Sequence, residues 1–401
     1  MLDHTASVFA KFRQNFPGLR NQAYFDVSAR GLISTDVRAA IDGFLDTRME
    51  TGGDKADMFK TIERARAGFA ELIRAEADEV ALVKNITDGV NAFATAIRWQ
   101  TGDAVVLCTE LEHPANILPW HNLVRQHGIQ ITSVAADRGA IPVEQMIDAI
   151  DDRTRVMAVS SVSFAPGFAT ALDLLGAACR ERGVYLMVDA AQSAGIMTTS
   201  VGASKIDVLL ASTQKGLLGL YGMGFMYVRR ELAESLTPAY LSRLGVVLDG
   251  AHEAASAGIE NFRYAAGARR FDVGNYNYLA ATAADRSIQN LLALGSDQIE
   301  AHTSKLAAEL REGLAALDLP IFTSPINSAS AAHIVAIGAA LVDKHDQVED
   351  PELDSLHRFL MDRKVIHTIR RGILRLSLHA YNDTTDIACT LEAAGDWRKT
   401  A

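Results

Sequence analysis

A chain of 401 residues, at roughly 100–200 residues per domain, holds two to four domains, or two in a large α/β enzyme. Hydrophobic residues at 49% and charged residues at 22% exclude wholesale disorder. The net charge, 39 − 49 = −10, is spread along the chain without a basic tract, which excludes a nucleic-acid footprint and a polybasic membrane anchor.

In chain order, residues 1–22 read as an arm that packs with a small domain, and 36–48 and 57–74 as two surface helices. Short apolar runs at 79–83, 104–108, 129–134, 156–160, 184–188, 208–211 and 225–228 predict seven strands. Helical patterns at 89–99, 117–127, 143–150 and 172–182 lie between them, the second stopped by Gly128. That alternation predicts an α/β fold, a large domain (23–270) with a mainly parallel seven-stranded sheet between helices. Residues 231–267, rich in Ala and Gly with weak periodicity, read as an excursion. Long helices are expected at 277–294 and 297–317, then strand 333–337, helix 352–363, strand 373–379 and helix 384–397. These form a smaller α+β C-terminal domain, 271–401.

Cys108, Cys179 and Cys389 lie in apolar surroundings without metal-ligand spacing and read as buried thiols of a reducing compartment. The first residues lack the apolar core of a signal peptide, and the longest apolar run, 334–342, is about half a bilayer span. A soluble, cytoplasmic protein without a metal site is expected.

Open α/β sheets bind ligands beyond the carboxyl ends of their strands. After strand 79–83, Thr87 and Asp88 open a helix, either as an ordinary N-cap or as part of an anion cradle. After 104–108 comes His113 beside a proline, able to stack on a planar ligand, to act as acid or base, or simply to bond the backbone. Asp189 directly follows strand 184–188, where a carboxylate is a turn cap or the partner of a ligand cation. Lys215 follows strand 208–211 among small and polar residues, as a solvated charge or as a desolvated amine with a lowered pKa. No one of these decides. Together they supply a phosphate seat, a ring clamp, an acid for a pyridine nitrogen and an imine lysine, which is what pyridoxal 5'-phosphate requires. Along 371–379, Leu374, Leu376 and Leu378 alternate with Arg375, Ser377 and His379, the period of a half-buried strand. Arg375 then either faces solvent or enters a cleft, where its fork suits a carboxylate.

The motifs Thr-Asp-Gly-Val-Asn at 87–91, Glu-His-Pro-Ala-Asn at 112–116, Val-Asp-Ala-Ala-Gln at 188–192, Ser-Thr-Gln-Lys-Gly at 212–216 and Ala-Arg-Arg-Phe-Asp-Val-Gly at 268–274 stand together with Arg375 and Tyr381-Asn382. In that combination the chain resembles the class V aminotransferase family, which includes the cysteine desulfurases, within the aspartate-aminotransferase-like fold type I. The resemblance implies a Schiff base on Lys215, Asp189 at the pyridine nitrogen, His113 on the ring face and Gln192 at the phenolic oxygen. It further implies Thr87, Asp88, Ser212 and Gln214 at the phosphate, and Arg375 at the α-carboxylate of a small amino-acid substrate. A homodimer is implied too, with the cofactor near the interface and 268–275 reaching across so that Asn275 meets the partner's phosphate.

Three departures narrow the activity. Residues 360–374 contain no cysteine, so persulfide chemistry is not expected. Phe164 falls where relatives often carry an asparagine, and Arg30 interrupts the usual Asn-Ala-Ala pattern, where it either meets a distal substrate carboxylate or lies on the surface. An aminotransferase is expected first; an epimerase or a β-elimination lyase starts from the same carbanion. A non-catalytic binding domain is the reading from another class, and the intact Asp189–Lys215 pair argues against it.

Overall fold

The computed structural model describes residues 2–248, 261–322, 332–344 and 346–400, with the backbone alone for 2–7. All seven expected strands form one sheet. Its spatial order is Val80–Val83, Gly224–Val228, Val208–Ser212, Tyr185–Asp189, Thr154–Ser160, Ala104–Leu107, Gln130–Ser133. Only Gly224–Val228 runs antiparallel to its neighbours. Both faces are covered, so most of these strands are buried on both sides and read as continuous apolar runs. The chain leaves Ala104–Leu107 toward one edge and Thr154–Ser160 toward the other. The crevice beyond their carboxyl ends is therefore the topological switch point.

Helices Thr35–Thr51, Lys55–Leu72 and Tyr278–Leu294 pack together on one face, where Ile62, Ala65, Phe69, Ala281, Ile288 and Leu291 join the core of the large sheet. The helix that follows the expected division at 270 thus belongs to this layer. Tyr278–Leu294 buries its apolar stripe in the large-domain core, and the chain leaves that layer at Gly295, whose φ of 85° separates it from the next helix. Beyond it, an antiparallel sheet ordered Ile334–Ile337, Ile373–Ser377, Thr368–Arg370 packs against Ser296–Ala315, Pro351–Asp362 and Thr384–Thr400. At the other end of the expected large domain, Ala23–Tyr24 pairs in parallel with Val365–Ile366.

The N-terminal arm is a helix, Leu2–Arg13. Arg13 fixes it by donating to Asp386 at 2.7 and 2.8 Å and by pairing with Asp383 at 3.0 Å, at the start of the C-terminal helix. Cys108 and Cys179 are buried as expected, but Cys389 is exposed, since Thr384–Thr400 turns that position outward while Ile387, Thr390 and Ala394 face the core. Part of the expected excursion forms a hairpin, Val246–Leu248 with Phe262–Tyr264; residues 249–260 of it lie outside the described residues. Among the described residues no helix is long and apolar enough to cross a membrane, and no cluster of His, Cys, Asp and Glu has the makings of a metal site.

Candidate active site

At the switch point one cleft is lined by Asn85 and Thr87, His113, Ser160 and Phe164, Asp189 and Gln192, and Ser212, Gln214 and Lys215. The residues come from the carboxyl ends of five strands, which is why they are far apart in sequence.

The wall at 85–87 is the first turn of helix Ile86–Ala96. Asn85, not Thr87 or Asp88, is its N-cap: Asn85 Oδ1 accepts the Asp88 N–H at 2.9 Å. Gly89 lets this helix lie close to the strand ending in Ser212, since a Cβ there would fall 2.2 Å from Leu210 Cδ2. A helix N-terminus favours an anion through its amides and dipole. Asp88 takes no part in the cleft. One of its carboxylate oxygens accepts the Lys84 N–H at 2.9 Å and the other the Tyr240 hydroxyl at 3.0 Å.

Lys215 lies in a tight turn that three distant segments hold. The Gly31 N–H donates to Gln214 O at 2.8 Å, and a Cβ on Gly31 would come within 2.5 Å of Lys215 O. The Gly216 carbonyl bonds His379 Nε2 at 2.8 Å and touches Gly195, where a Cβ would sit 2.4 Å away. Burial pushes the Lys215 amine down to about 8, against the pull of Asp189 in the opposite direction. Asp189 is buried and held above the usual carboxylate range by desolvation, opposed by the Ala191 N–H on Oδ1 at 2.8 Å and by Lys215.

His113 caps a short 3₁₀ turn, its Nδ1 accepting the Ala115 N–H at 3.1 Å. An acceptor Nδ1 leaves Nε2 protonated in the neutral ring. The imidazole meets Phe164 edge-on, 5.9 Å between centroids. Gln192 donates from Nε2 to Ser28 O at 3.2 Å. Its Oε1 and the Ser212 hydroxyl are buried with no partner among the described residues. Orphaned polar groups facing a cleft are costly unless a ligand completes them. A phosphate beside the 85–87 turn would satisfy Ser212, and a planar heteroaromatic ring between His113, Asp189 and Gln192 would use the rest, so the residues fit pyridoxal phosphate.

Other expected positions fall outside this cleft. Arg375 is buried rather than half-buried, with NH1 donating to Phe164 O at 2.6 Å and NH2 to Thr368 Oγ1 at 3.2 Å. It stands behind Phe164 because the whole strand Ile373–Ser377 is covered on both faces. Arg30 is exposed, and its carbonyl accepts the Tyr24 hydroxyl at 2.9 Å. Most of 268–275 does not reach outward. Ala268, Arg270 and Phe271 are buried, and Asp272 accepts from Arg66 at 2.7 Å and from the Leu82 N–H at 2.8 Å. Val273, Gly274 and Asn275 are exposed.

Sequence reasoning missed Ser160 and Glu112. Glu112 is 3% exposed and accepts from Ser160 N at 2.6 Å, from Ser160 Oγ at 2.7 Å and from Asn116 Nδ2 at 2.8 Å. Its spacing of four from Asn116 was a usable signal, hidden by the more obvious His113 between them.

The family model for class V aminotransferases matches residues 23–389. The "Uncharacterized aminotransferase YcbU" of Bacillus subtilis (strain 168) is 28% identical over 374 residues, covering 93% of this chain and 93% of its own. A "Probable cysteine desulfurase" of Methanothermobacter thermautotrophicus is 28% identical over 391 residues, covering 94% of each chain. Among solved structures, the apo cysteine desulfurase of Thermococcus onnurineus NA1 superposes with a TM-score of 0.83 at 24% identity, covering 98% of both chains. A variant of C-DES with glycine covalently linked to its PLP cofactor does so with a TM-score of 0.83 at 20% identity, covering 96% of this chain and 99% of that one.

Proposed function

Because the chain belongs to the class V aminotransferase family, we propose that it binds pyridoxal 5'-phosphate in the switch-point cleft and transfers the amino group of a small α-amino acid. The observation that carries this reading is the convergence of a desolvated Lys215 and a buried Asp189 on one cleft whose far wall is a helix N-terminus. When bound, the cofactor supplies an electron sink for negative charge at the substrate α-carbon.

The chain's own residues divide the remaining work. Thr87, Ser212 and Gln214 hold the phosphate at the helix N-terminus. Asp189 holds a proton on the ring nitrogen, and His113 presses the ring from one face. Lys215 would anchor the cofactor, and its amine, pushed down to about 8 by burial, would move a proton at the substrate α-carbon. Arg375, poised behind Phe164, takes the substrate α-carboxylate when one of its bonds to Phe164 or Thr368 is exchanged. Arg30 stands on the exposed side to meet a distal carboxylate.

Sulfur transfer is not part of this proposal. None of the three cysteines lines the cleft, and a persulfide needs a thiolate there. The test is a screen of amino acids with the purified holoprotein, scoring oxo-acid and pyridoxamine formation beside ammonia, persulfide and loss of optical rotation. Oxo-acid with stoichiometric pyridoxamine supports transamination. Ammonia, racemised substrate or persulfide instead would overturn it, and Lys215→Ala with an unchanged visible spectrum would overturn the anchor.

A further inference from the structure

Glu112 has no part in the chemistry just described, yet it is a fully enclosed carboxyl one layer beneath the cleft. Burying an ionisable group is expensive and needs several donors to hold it. Here three converge: the Ser160 N–H at 2.6 Å, the Ser160 hydroxyl at 2.7 Å and the Asn116 amide at 2.8 Å. Asn116 is itself fixed by the Trp120 indole N–H at 3.3 Å. A carboxyl this well served is not a packing accident.

The partner it shares with the cleft is Ser160. In the parallel pair of strands Thr154–Ser160 and Tyr185–Asp189, Ser160 stands directly across from Asp189, and the Ser161 N–H donates to Asp189 O at 2.9 Å. Residues paired across a sheet project to the same face, and both side chains line the cleft. Glu112 is therefore linked through Ser160 to Asp189, and only Glu112 of the three stands outside the cleft.

We propose that Glu112 is a positioning residue whose charge, acting across Ser160, sets how firmly Asp189 holds a proton on the ring nitrogen of the cofactor. The inference rests on the pyridoxal-phosphate reading above and deepens it.

The groups around Glu112 fix the sign. Asp189 acts on it from two strands away, across Thr154–Ser160, and Lys215 acts on Asp189 in turn. Cys108, at the end of the strand from which Glu112 hangs, is neutral, its thiol pushed up to about 12 by burial and then by Glu112. His113, next in the chain, has Nδ1 committed to Ala115. Burial and then Asp189 push the Glu112 carboxyl up to about 7, against its three donors. Above that pH Glu112 loses its proton to solvent. A second negative charge then stands beside Asp189 and favours a positive ring nitrogen. Below it, Glu112 is neutral and its hydroxyl can donate to Ser160 Oγ, so that support is withdrawn.

The experiment compares wild type, Glu112→Gln and Glu112→Asp, each titrated with pyridoxal phosphate across about pH 5.5–9, reading the visible band and the dissociation constant. Lys215 titrates in all three, so the difference between proteins isolates Glu112. In wild type the affinity should bend near the pH at which Glu112 titrates. In Glu112→Gln that bend should vanish, with binding about tenfold weaker at the alkaline end, the size of one unit in a coupled pKa, and unchanged at the acid end. Glu112→Asp keeps the charge and should keep a bend, and it supplies the readout should the glutamine variant not fold. Identical pH profiles in wild type and Glu112→Gln, or a loss equal at every pH, would overturn the inference while leaving the cofactor reading intact. No visible band in any of the three would overturn both.

Discussion

An ammonium group keeps its proton in water and gives it up more readily where water is scarce. Lys215 shows the balance: enclosure in the cleft lowers its pKa to about 8, Arg375 and Arg370 push the same way, and Asp189 resists. Below that pH the amine is protonated and cannot attack an aldehyde; above it the amine is free. Capture of pyridoxal phosphate by the apo-protein should therefore quicken about tenfold per pH unit up to about pH 8 and then level off. Stopped-flow absorbance would read this directly. A rate that kept climbing toward the ordinary lysine value of 10.5 would mean that the amine is solvated. Lys215, Asp189 and His113 were legible in the sequence because each follows an apolar strand, and strand ends can be found from local pattern. The bonds of the Asp88 carboxylate were not, because one comes from the Lys84 N–H and the other from the distant Tyr240. Arg375 was half legible: the alternation around it was real, but the sequence does not reveal that Phe164 stands in front of it.

At the scale of elements, the small sheet carries a set of enclosed imidazoles. His379 sits between the Gly216 carbonyl at 2.8 Å and the Ala380 N–H at 2.7 Å, an arrangement that needs the neutral ring. Burial pushes its pKa down to about 4, that of His367 to about 4 and that of His333 to about 3. In the unfolded chain all three titrate near 6.5, so between about pH 6.5 and 4 the unfolded state binds protons that the folded state refuses. Stability should be full above about 6.5 and fall on acidification to about 4, by up to about 3 kcal/mol for each of the three imidazoles. Asp26 and Asp386, raised by burial, act in the opposite sense. Urea midpoints across that range check the claim, and His379→Gln should flatten the slope; an unaltered slope would refute it. The strands of the large sheet were readable because unbroken apolar runs between helical patterns leave little choice. Thr368–Arg370 and Val365–Ile366, a few residues each, acquire their conformation only from Arg375, Leu374 and the Ala23–Tyr24 pair across from them.

The whole molecule presents an apolar margin on the side of the hairpin. Among the exposed large apolar side chains, which also include Leu45, Met49, Leu118, Leu174 and Tyr221, six fall in or beside the hairpin: Tyr240, Leu241, Val247, Phe262, Tyr264 and Val273. Such a surface marks an interaction site. We propose a homodimer that covers it, with exposed Asn275 at its border and within reach of the partner's phosphate seat. Sedimentation should give twice the mass of one chain, and Asn275→Ala should loosen cofactor retention without splitting the dimer. A monomer, or unchanged retention, would count against that placement. The order of elements was legible as rhythm, strands with helices and then a shorter α+β run. The packing of Tyr278–Leu294 was not, because its alanine-rich stripe is the same whichever core receives it, and only the facing helices Thr35–Thr51 and Lys55–Leu72 decide.

The turn that carries Lys215 is gripped by Gly31 near one terminus, by Gly195 in the middle and by His379 near the other. Because these three lie far apart along the chain, the aldehyde-reactive amine is in place only once all of them have met, and capture of the aldehyde doubles as a certificate of that long-range assembly.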